Sequence, residues 1–160
     1  MLFRSGPETD WLDDDGVDLA RSHRITATIR KHGDTLEFIL DSDAQARGPV
    51  NLRSCVSRNF IECCVKMVFI PNLPVNDGLS RPVKVTYPPE GSLLNPSYPA
   101  ACNMYVRPSQ MTTSVIIRCL ARALPGKVPA PSSGAGGSLA SSGRDPRTGR
   151  WYAQYELLNG

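Results

Sequence analysis

The sequence predicts an α+β fold, a mixed or antiparallel sheet with two amphipathic helices, that forms part of a larger fold. Residues 53–69 and 109–124 have the apolar spacing of helices, whereas residues 24–41 and 151–158 alternate as strands do. Strands and helices do not follow one another in a regular βαβ order. This order favours α+β over a doubly wound α/β sheet. A chain of 160 residues is long enough for one ordinary domain.

The first strands are predicted as a hairpin over residues 24–41, whereas residues 1–23 are polar and predict no element. Apolar and polar residues alternate on both sides of a turn at residues 31–34. The apolar positions are Ile25, Ala27, Ile29, Leu36, Phe38 and Leu40. The dipeptide Gly48-Pro49 then breaks the chain.

Each predicted helix has one apolar stripe. The stripe of the first helix is Val56, Phe60, Cys63, Cys64, Met67 and Val68, and that of the second is Met111, Val115, Cys119, Leu120 and Ala123. Pro71 and Pro74 end the first helix. Pro108 lies just before the second helix, where proline is tolerated, and Pro125-Gly126 ends it.

Three shorter segments complete the predicted fold. Val83 and Val85 make a short strand, and Leu93 and Leu94 are expected to pair back on it after a turn. Residues 129–143 are rich in Ser, Gly, Ala and Pro and are predicted as a flexible loop. Within that loop, residues 132–134 could alternatively form a nest of backbone N–H groups that binds an anion. The last strand, residues 151–158, has one broad aromatic face.

Composition excludes several classes of function. The 18 basic and 15 acidic residues give a net charge of +3, and the basic residues are scattered, so we expect no nucleic-acid surface. No apolar run is long enough for a membrane span, and no signal-peptide core is present. The 5 cysteines fit no disulfide framework, so the sequence predicts reduced thiols in a cytoplasmic protein.

Nucleotide and metal motifs are also missing from the sequence. Residues 126–128 lack the Gly-Lys-Ser/Thr ending of a P-loop. The acidic run Asp13–Asp15 fails the spacing of a calcium loop and is expected to be a solvated turn. His23 and His32 have no zinc-type partners, and His32 is expected to be solvated. Cys63 and Cys64 are adjacent, which favours small buried side chains over a chelate. No metal site and no catalytic residue can therefore be assigned.

The most informative segment is residues 74–96, which surrounds one short strand with loops stiffened by five prolines. Rigid loops of this kind hold a defined shape, and polar residues in this segment and elsewhere in the chain are candidates for substrate binding. The candidates are Asp41, Asn51, Asn76, Arg81, Asn95 and Glu156. Arg81 could clamp a carboxylate or a phosphate through its planar fork. Alternatively, Arg81 and the asparagines satisfy backbone groups of the loops.

This segment, together with motifs on both sides of it, resembles the hydantoinase B/oxoprolinase family, which includes subunits of ATP-dependent ketone carboxylases. The matching motifs keep the family's order and cover nearly the whole chain from about residue 11. They are 13–16 (DDDG), 33–34 (GD), 41–42 (DS), 48–51 (GPVN), 74–96, 99–101 (PAA), 128–134 (VPAPSSG) and 146–156 (PRTGRWYAQYE).

The resemblance implies a division of the chain and a dependence on other parts of an enzyme. Residues 1–10 are expected to be a non-matching start, and residues 11–160 a partial family domain, an internal fragment of a longer protein. The family's metal-binding motifs lie upstream of this region. We therefore expect no cofactor in this chain, with ATP and a divalent metal in the complete enzyme. The implied partner is a hydantoinase A-type ATP-binding subunit or a fused domain.

The resemblance also implies an activity, with alternatives left open. The complete enzyme would couple ATP hydrolysis to opening of a cyclic amide, 5-oxoproline or a hydantoin, and this chain alone would be inactive. The alternatives are a segment of an ATP-dependent ketone carboxylase subunit and a non-catalytic assembly module. The sequence does not decide between hydrolase and carboxylase.

Overall fold

The computed structural model of the protein describes residues 3–132 and 136–159. Two short N-terminal strands, β1 (Phe3–Arg4) and β2 (Glu8–Leu12), precede a hairpin of β3 (His23–His32) and β4 (Thr35–Ser42). Next along the chain come helices α1 (Ser54–Phe69) and α2 (Asp77–Ser80), strand β5 (Val83–Thr86) and helix α3 (Val106–Ala123). A ribbon of β6 (Gly136–Arg144) and β7 (Trp151–Asn159) follows.

The five strands β1 to β5 form one mixed sheet, which confirms the α+β prediction. The predicted hairpin is confirmed: β3 and β4 run antiparallel, with Ile29 opposite Phe38. β5 lies parallel to β4, with Val85 beside Phe38. The other edge of β3 pairs antiparallel with both β1 and β2.

Strand β2 is an element that the sequence did not predict. Its residues Glu8–Leu12 are mostly polar, and only Leu12 is buried. Polar contacts hold the strand in place, because Arg118 of α3 pairs with Asp10 at 2.9 Å and donates to the carbonyl oxygen of Thr9 at 3.1 Å. Interactions with Arg118, more than 100 positions away in sequence, therefore help to stabilise a strand that has little apolar periodicity of its own.

The hydrophobic core lies between the sheet and the helices. α3 packs on β2 and β3, and α1 packs on α3. The inward-facing residues of the hairpin, among them Ile25, Ile29 and Phe38, are fully buried. Both predicted long helices are confirmed, although α3 begins three residues earlier than its predicted start at Ser109. Pro108 accordingly lies inside the first turn of α3, where its missing N–H would have no intrahelical acceptor in any case.

The buried face of α1 is rotated from the predicted stripe. Ser57, Ile61, Cys64 and Val65 are buried, whereas Cys63 and Met67 are exposed. The prediction that Cys63 is buried was therefore wrong, and the prediction for Cys64 is confirmed. The helical period permits either stripe, and contact with α3 selects the one that is buried.

The predicted loop at residues 129–143 was wrong for its second half. Residues 136–144 form strand β6, which pairs along its whole length with β7. Serine and glycine favour loops by composition, but backbone pairing with the aromatic strand β7 overrides that tendency. The turn between the strands contains Gly149 at φ 68°, a conformation that glycine adopts without strain. The proposed anion nest at residues 132–134 extends outside the described residues.

Within residues 3–132 and 136–159, no helix is both long and apolar enough to cross a membrane.

Candidate functional site

Two loops that follow β4 and β5 pack against each other beside the start of α1. We call residues 43–53 and 88–104 the loop cluster. Backbone hydrogen bonds join its two halves: Leu93 N–H donates to the Asp43 carbonyl and Leu52 N–H donates to the Leu93 carbonyl, both at 2.8 Å. The prediction that Leu93 and Leu94 pair back on β5 was therefore wrong: Leu93 bonds to Asp43 and Leu52, and the Leu94 N–H donates to Ser42 Oγ at 3.2 Å. Both leucines are fully buried.

Asn51 is the central polar side chain of the loop cluster. Its Oδ1 accepts from the Ala46 N–H at 2.8 Å. Its Nδ2 donates to the carbonyl oxygens of Ala46, Gly48 and Ala101, at 3.0, 3.1 and 2.9 Å. The Asn51 side chain is fully buried. Its amide fixes the loop backbone, because buried backbone N–H and C=O groups need hydrogen-bond partners.

Asn95 closes the second half of the loop cluster. Its Nδ2 donates to the Pro88 carbonyl at 3.0 Å, and its carbonyl oxygen accepts from the Gly91 N–H at 2.9 Å. The first loop supplies another bond, because Gln45 Oε1 accepts from the Ser97 N–H at 2.8 Å. These bonds hold residues 88–97 as a rigid wall.

Asp15 anchors the loop cluster from the N-terminal side. Its Oδ2 accepts from the Gly48 N–H at 2.8 Å, and its Oδ1 accepts from the N–H groups of Val17 and Asp18 at 2.9 and 2.7 Å. The N–H donors of Asp18 and Gly48 lower the pKa of the Asp15 carboxyl well below its usual range and outweigh the opposing effect of burial. The expectation of a solvated acidic turn was therefore wrong for Asp15, which is buried, and right for the exposed Asp13.

Two small cavities, of about 350 and 320 Å³, lie on the outer side of the loop cluster at the start of α1. Arg53, Ala100 and Cys102 line both cavities, and Asn95 lines the second. No described residue pairs with the Arg53 guanidinium, which is exposed. A free guanidinium beside a cavity attracts a carboxylate, a phosphate or bicarbonate.

The surroundings of Arg53 reinforce this preference for an anion. Arg53 is the N-cap residue of α1, whose first turn contains no acidic residue. The positive end of the helix dipole therefore points toward the same region. Sequence reasoning missed Arg53, although its position directly before a helix and two residues after Asn51 was a usable signal.

The six predicted binding residues do not come together in one place. Asn51 and Asn95 belong to the loop cluster, and Asp41 lies at the end of β4, where it pairs with Arg24 at 2.7 Å. Asn76 caps α2 by accepting from the Gly78 N–H at 2.9 Å, and Arg81, which is 79% exposed, pairs with Asp77 at 3.3 Å. Glu156 lies on β7 and accepts from Gln154 at 3.1 Å. Their roles in substrate binding remain predictions.

A larger cleft of about 900 Å³ lies between the ends of α1 and α3, next to α2. Its lining is mostly apolar, with Val65, Phe69, Leu79 and Leu120 among the lining residues. Asn76 contributes one of its few polar groups. Such a lining offers little to orient a charged reactant.

Within the described ranges, no three His, Cys, Asp or Glu side chains are grouped to hold a metal ion. The imidazole of His23 is buried without a hydrogen-bond partner in the structure, whereas His32 is largely exposed, as predicted.

Comparisons with known proteins show which proteins this chain is similar to. The family model described as hydantoinase B/oxoprolinase matches residues 4–160. The uncharacterized protein MJ0963 from Methanocaldococcus jannaschii is 31% identical over 117 residues, which cover 72% of this chain and 20% of that protein. The family match begins at residue 4, before the motifs that start at about residue 11.

Two solved structures share the fold. The crystal structure of the ATP-dependent caprolactamase from Pseudomonas jessenii matches with a TM-score of 0.71 and 24% identity, covering 93% of this chain and 26% of that one. The nucleotide-free structure of an acetone carboxylase matches with a TM-score of 0.65 and 14% identity, covering 96% of this chain and 22% of that one. This chain spans about a fifth to a quarter of the length of these relatives. Since the family model matches nearly the whole chain, the protein belongs to the hydantoinase B/oxoprolinase family.

Proposed function

We propose that this chain forms part of a hydantoinase B-type subunit of an enzyme that couples ATP hydrolysis to the opening of a cyclic amide, 5-oxoproline or a hydantoin. The observation that carries the proposal is the Arg53 guanidinium, which no described residue pairs with and which lies beside two small cavities on a scaffold of this family. The match to a protein named an ATP-dependent caprolactamase supports a cyclic amide as the substrate class.

The carbonyl carbon of an amide is a poor electrophile, so it must be activated before water can open the ring. ATP supplies that activation by phosphorylating the amide oxygen, after which water attacks the carbon, the C–N bond breaks and phosphate leaves. The developing negative charge must be held by fixed positive groups in a site that excludes bulk water. In this proposal Arg53 holds an anionic group of the reactants, and the loop cluster fixes its position.

The loop cluster suits this task because its rigidity does not depend on a ligand. Asn51 and Asn95 satisfy backbone groups of both loops, and Asp15 joins them to the N-terminal segment. A preorganised wall needs no costly rearrangement when charge develops. The roles of Asn51 and Asn95 in this view are to position the wall.

The nucleotide and a divalent metal are assigned, in the same proposal, to other parts of the complete enzyme. A hydantoinase A-type ATP-binding subunit, or a domain fused to this one, would supply the nucleotide site. This chain alone would then be inactive. The free thiols of the described cysteines fit a reducing compartment, and we place the enzyme in the cytoplasm.

A second candidate is a subunit of an ATP-dependent ketone carboxylase, favoured by the match to an acetone carboxylase. Bicarbonate is an anion that would fit beside Arg53 equally well. The complete enzyme, supplied with ATP, should be assayed with hydantoin, 5-oxoproline and acetone plus bicarbonate. ATP-dependent ring opening supports the hydrolase, and carboxylation of acetone without ring opening would replace it with the carboxylase.

A third candidate is a non-catalytic assembly module, favoured by the exposed apolar surfaces of the cleft and of the ribbon β6–β7. Arg53→Ala in the complete enzyme separates this role from a role in the site. Loss of subunit assembly, with turnover lost only as its consequence, would support the module. Loss of turnover with assembly intact supports the proposed site.

A further inference from the structure

The ribbon β6–β7 is uncovered on both faces. Among residues 137–157 no side chain is buried, and an isolated two-stranded ribbon is only marginally stable in water. One face carries Trp151, Ala153, Tyr155 and Leu157 of β7, of which Trp151 and Tyr155 are 72% and 63% exposed. A surface of this kind indicates a protein contact.

The free edge of β7 is the feature that specifies the contact. Among the described strands, β7 pairs only with β6, so its second edge presents unpaired backbone N–H and C=O groups along Trp151–Asn159. Proteins commonly protect such edges with lysine, proline or a bulge. β7 contains neither lysine nor proline, and Glu156 is its one charged residue.

The edge of β6 is a poorer partner. β6 has the sequence GGSLASSGR, in which Leu139 is the one large apolar side chain. Pairing across strands is stabilised by contacts between opposite side chains, which glycine and serine supply weakly. The aromatic side chains of the ribbon all lie on β7, so the β7 edge is better suited to strand pairing than the β6 edge.

We propose that the β7 edge pairs antiparallel with the β7 edge of a second copy of this chain, which joins two ribbons into a four-stranded sheet. Opposite residues of a sheet share a face, so a two-fold axis must pass through a residue of β7. Tyr155 is the middle residue of Trp151–Asn159, and an axis there pairs all nine residues.

This register also keeps like charges apart. An axis at Tyr155 sets Glu156 opposite Gln154 of the partner subunit, and the amide can donate to the carboxylate. The same two side chains already bond within one chain, where Gln154 Nε2 donates to Glu156 Oε1 at 3.1 Å. An axis at Glu156 would oppose two like charges.

Sedimentation equilibrium of the 160-residue chain, over a range of concentrations, tests the pairing. We expect a monomer–dimer equilibrium. Gln154→Lys sets a lysine opposite Glu156 on both sides of the axis and should tighten the dimer several-fold, whereas Gln154→Glu should weaken it several-fold. Both effects should shrink at high salt.

Ser142→Lys is the matched control. Ser142 lies opposite Ala153 on β6 and is exposed, so this variant adds the same charge to the ribbon away from the proposed edge. The dimer dissociation constant of Ser142→Lys should equal that of the wild type. A chain that stays monomeric at every concentration, equal weakening by Gln154→Lys and Gln154→Glu, or loss of the dimer in Ser142→Lys would each overturn the proposal.

Discussion

The carboxylate of Asp15 accepts a hydrogen bond from the backbone N–H of Gly48 at 2.8 Å, across 33 positions of sequence. The contact is so close that a Cβ atom added at Gly48 would lie 1.8 Å from the Asp15 carbonyl oxygen. It joins the N-terminal acidic turn to the loop that carries Asn51 and Arg53. The position of Arg53 therefore depends on a residue nearly 40 positions upstream.

Gly48→Ala should destabilise the protein because the added methyl group collides with backbone, which must shift. Overpacking of this kind costs about 1–3 kcal/mol. Urea unfolding followed by circular dichroism measures the change. The control is Ser141→Ala on the exposed ribbon, which should change the free energy of unfolding little. Gly33→Ala would not serve as a control, because Gly33 has a positive φ of 54° and alanine would be strained there.

Removing the charge of Asp15 should change how stability depends on pH. Its pKa is lowered in the folded state, so its stabilising contribution is present above the unfolded pKa of about 3.9 and is lost as the pH falls toward the folded value. Asp15→Asn should therefore be less stable than the wild type at pH 7, and the difference should narrow below about pH 4. A difference that stays constant between pH 7 and pH 3 would contradict this account.

Asn51→Ala should cost more than a surface substitution, about 2–4 kcal/mol, because it removes the partner of three buried backbone groups and of one part-buried group of the loop cluster. Asn51→Asp keeps the shape but turns a carboxylate toward three carbonyl oxygens, and should be no better tolerated. Thermal unfolding at neutral pH measures both. Asn59→Ala, on the exposed side of α1, is the control and should change stability by less than about 0.5 kcal/mol.

The thiols should react in an order set by burial. Burial raises the pKa of the Cys64 thiol to about 12 and also raises that of Cys119, while Cys55 and Cys63 are exposed. Under native conditions at pH 8, iodoacetamide should modify Cys55 and Cys63 first and Cys64 and Cys119 only after unfolding. Tandem mass spectrometry separates the neighbours Cys63 and Cys64. Modification of Cys64 as fast as that of Cys63 would show that the buried face of α1 is misassigned.

Much of the fold follows from local patterns. The spacing of apolar residues predicts five of its elements: the β3–β4 hairpin, α1, α3, β5 and β7. It does not predict β2 and β6, since β2 is held by pairing with β3 and by polar contacts with Arg118, and β6 is held by pairing with β7. Long-range contacts of this type leave no periodic trace in the strand that they stabilise.

The candidate site was predictable only in part. Asn51 and Asn95 stood out as polar residues in stiff loops, and both lie in the loop cluster. Arg81 stood out for the same reason, yet its side chain pairs with Asp77 on the exposed surface of α2. Arg53 became evident once the fold placed Ala100 and Cys102 around it, because the cavities form between segments about 50 residues apart.

The most direct test of the account is the rate of ATP-dependent ring opening by the complete enzyme with Arg53→Ala, compared with Arg81→Ala and Arg53→Lys. Loss of a group that holds developing charge typically costs about 10²–10³ in rate. We expect that loss for Arg53→Ala, a smaller loss for Arg53→Lys and near-normal turnover for Arg81→Ala, all with subunit assembly unchanged. Wild-type turnover by Arg53→Ala in the assembled enzyme would contradict the assignment of Arg53 to the site.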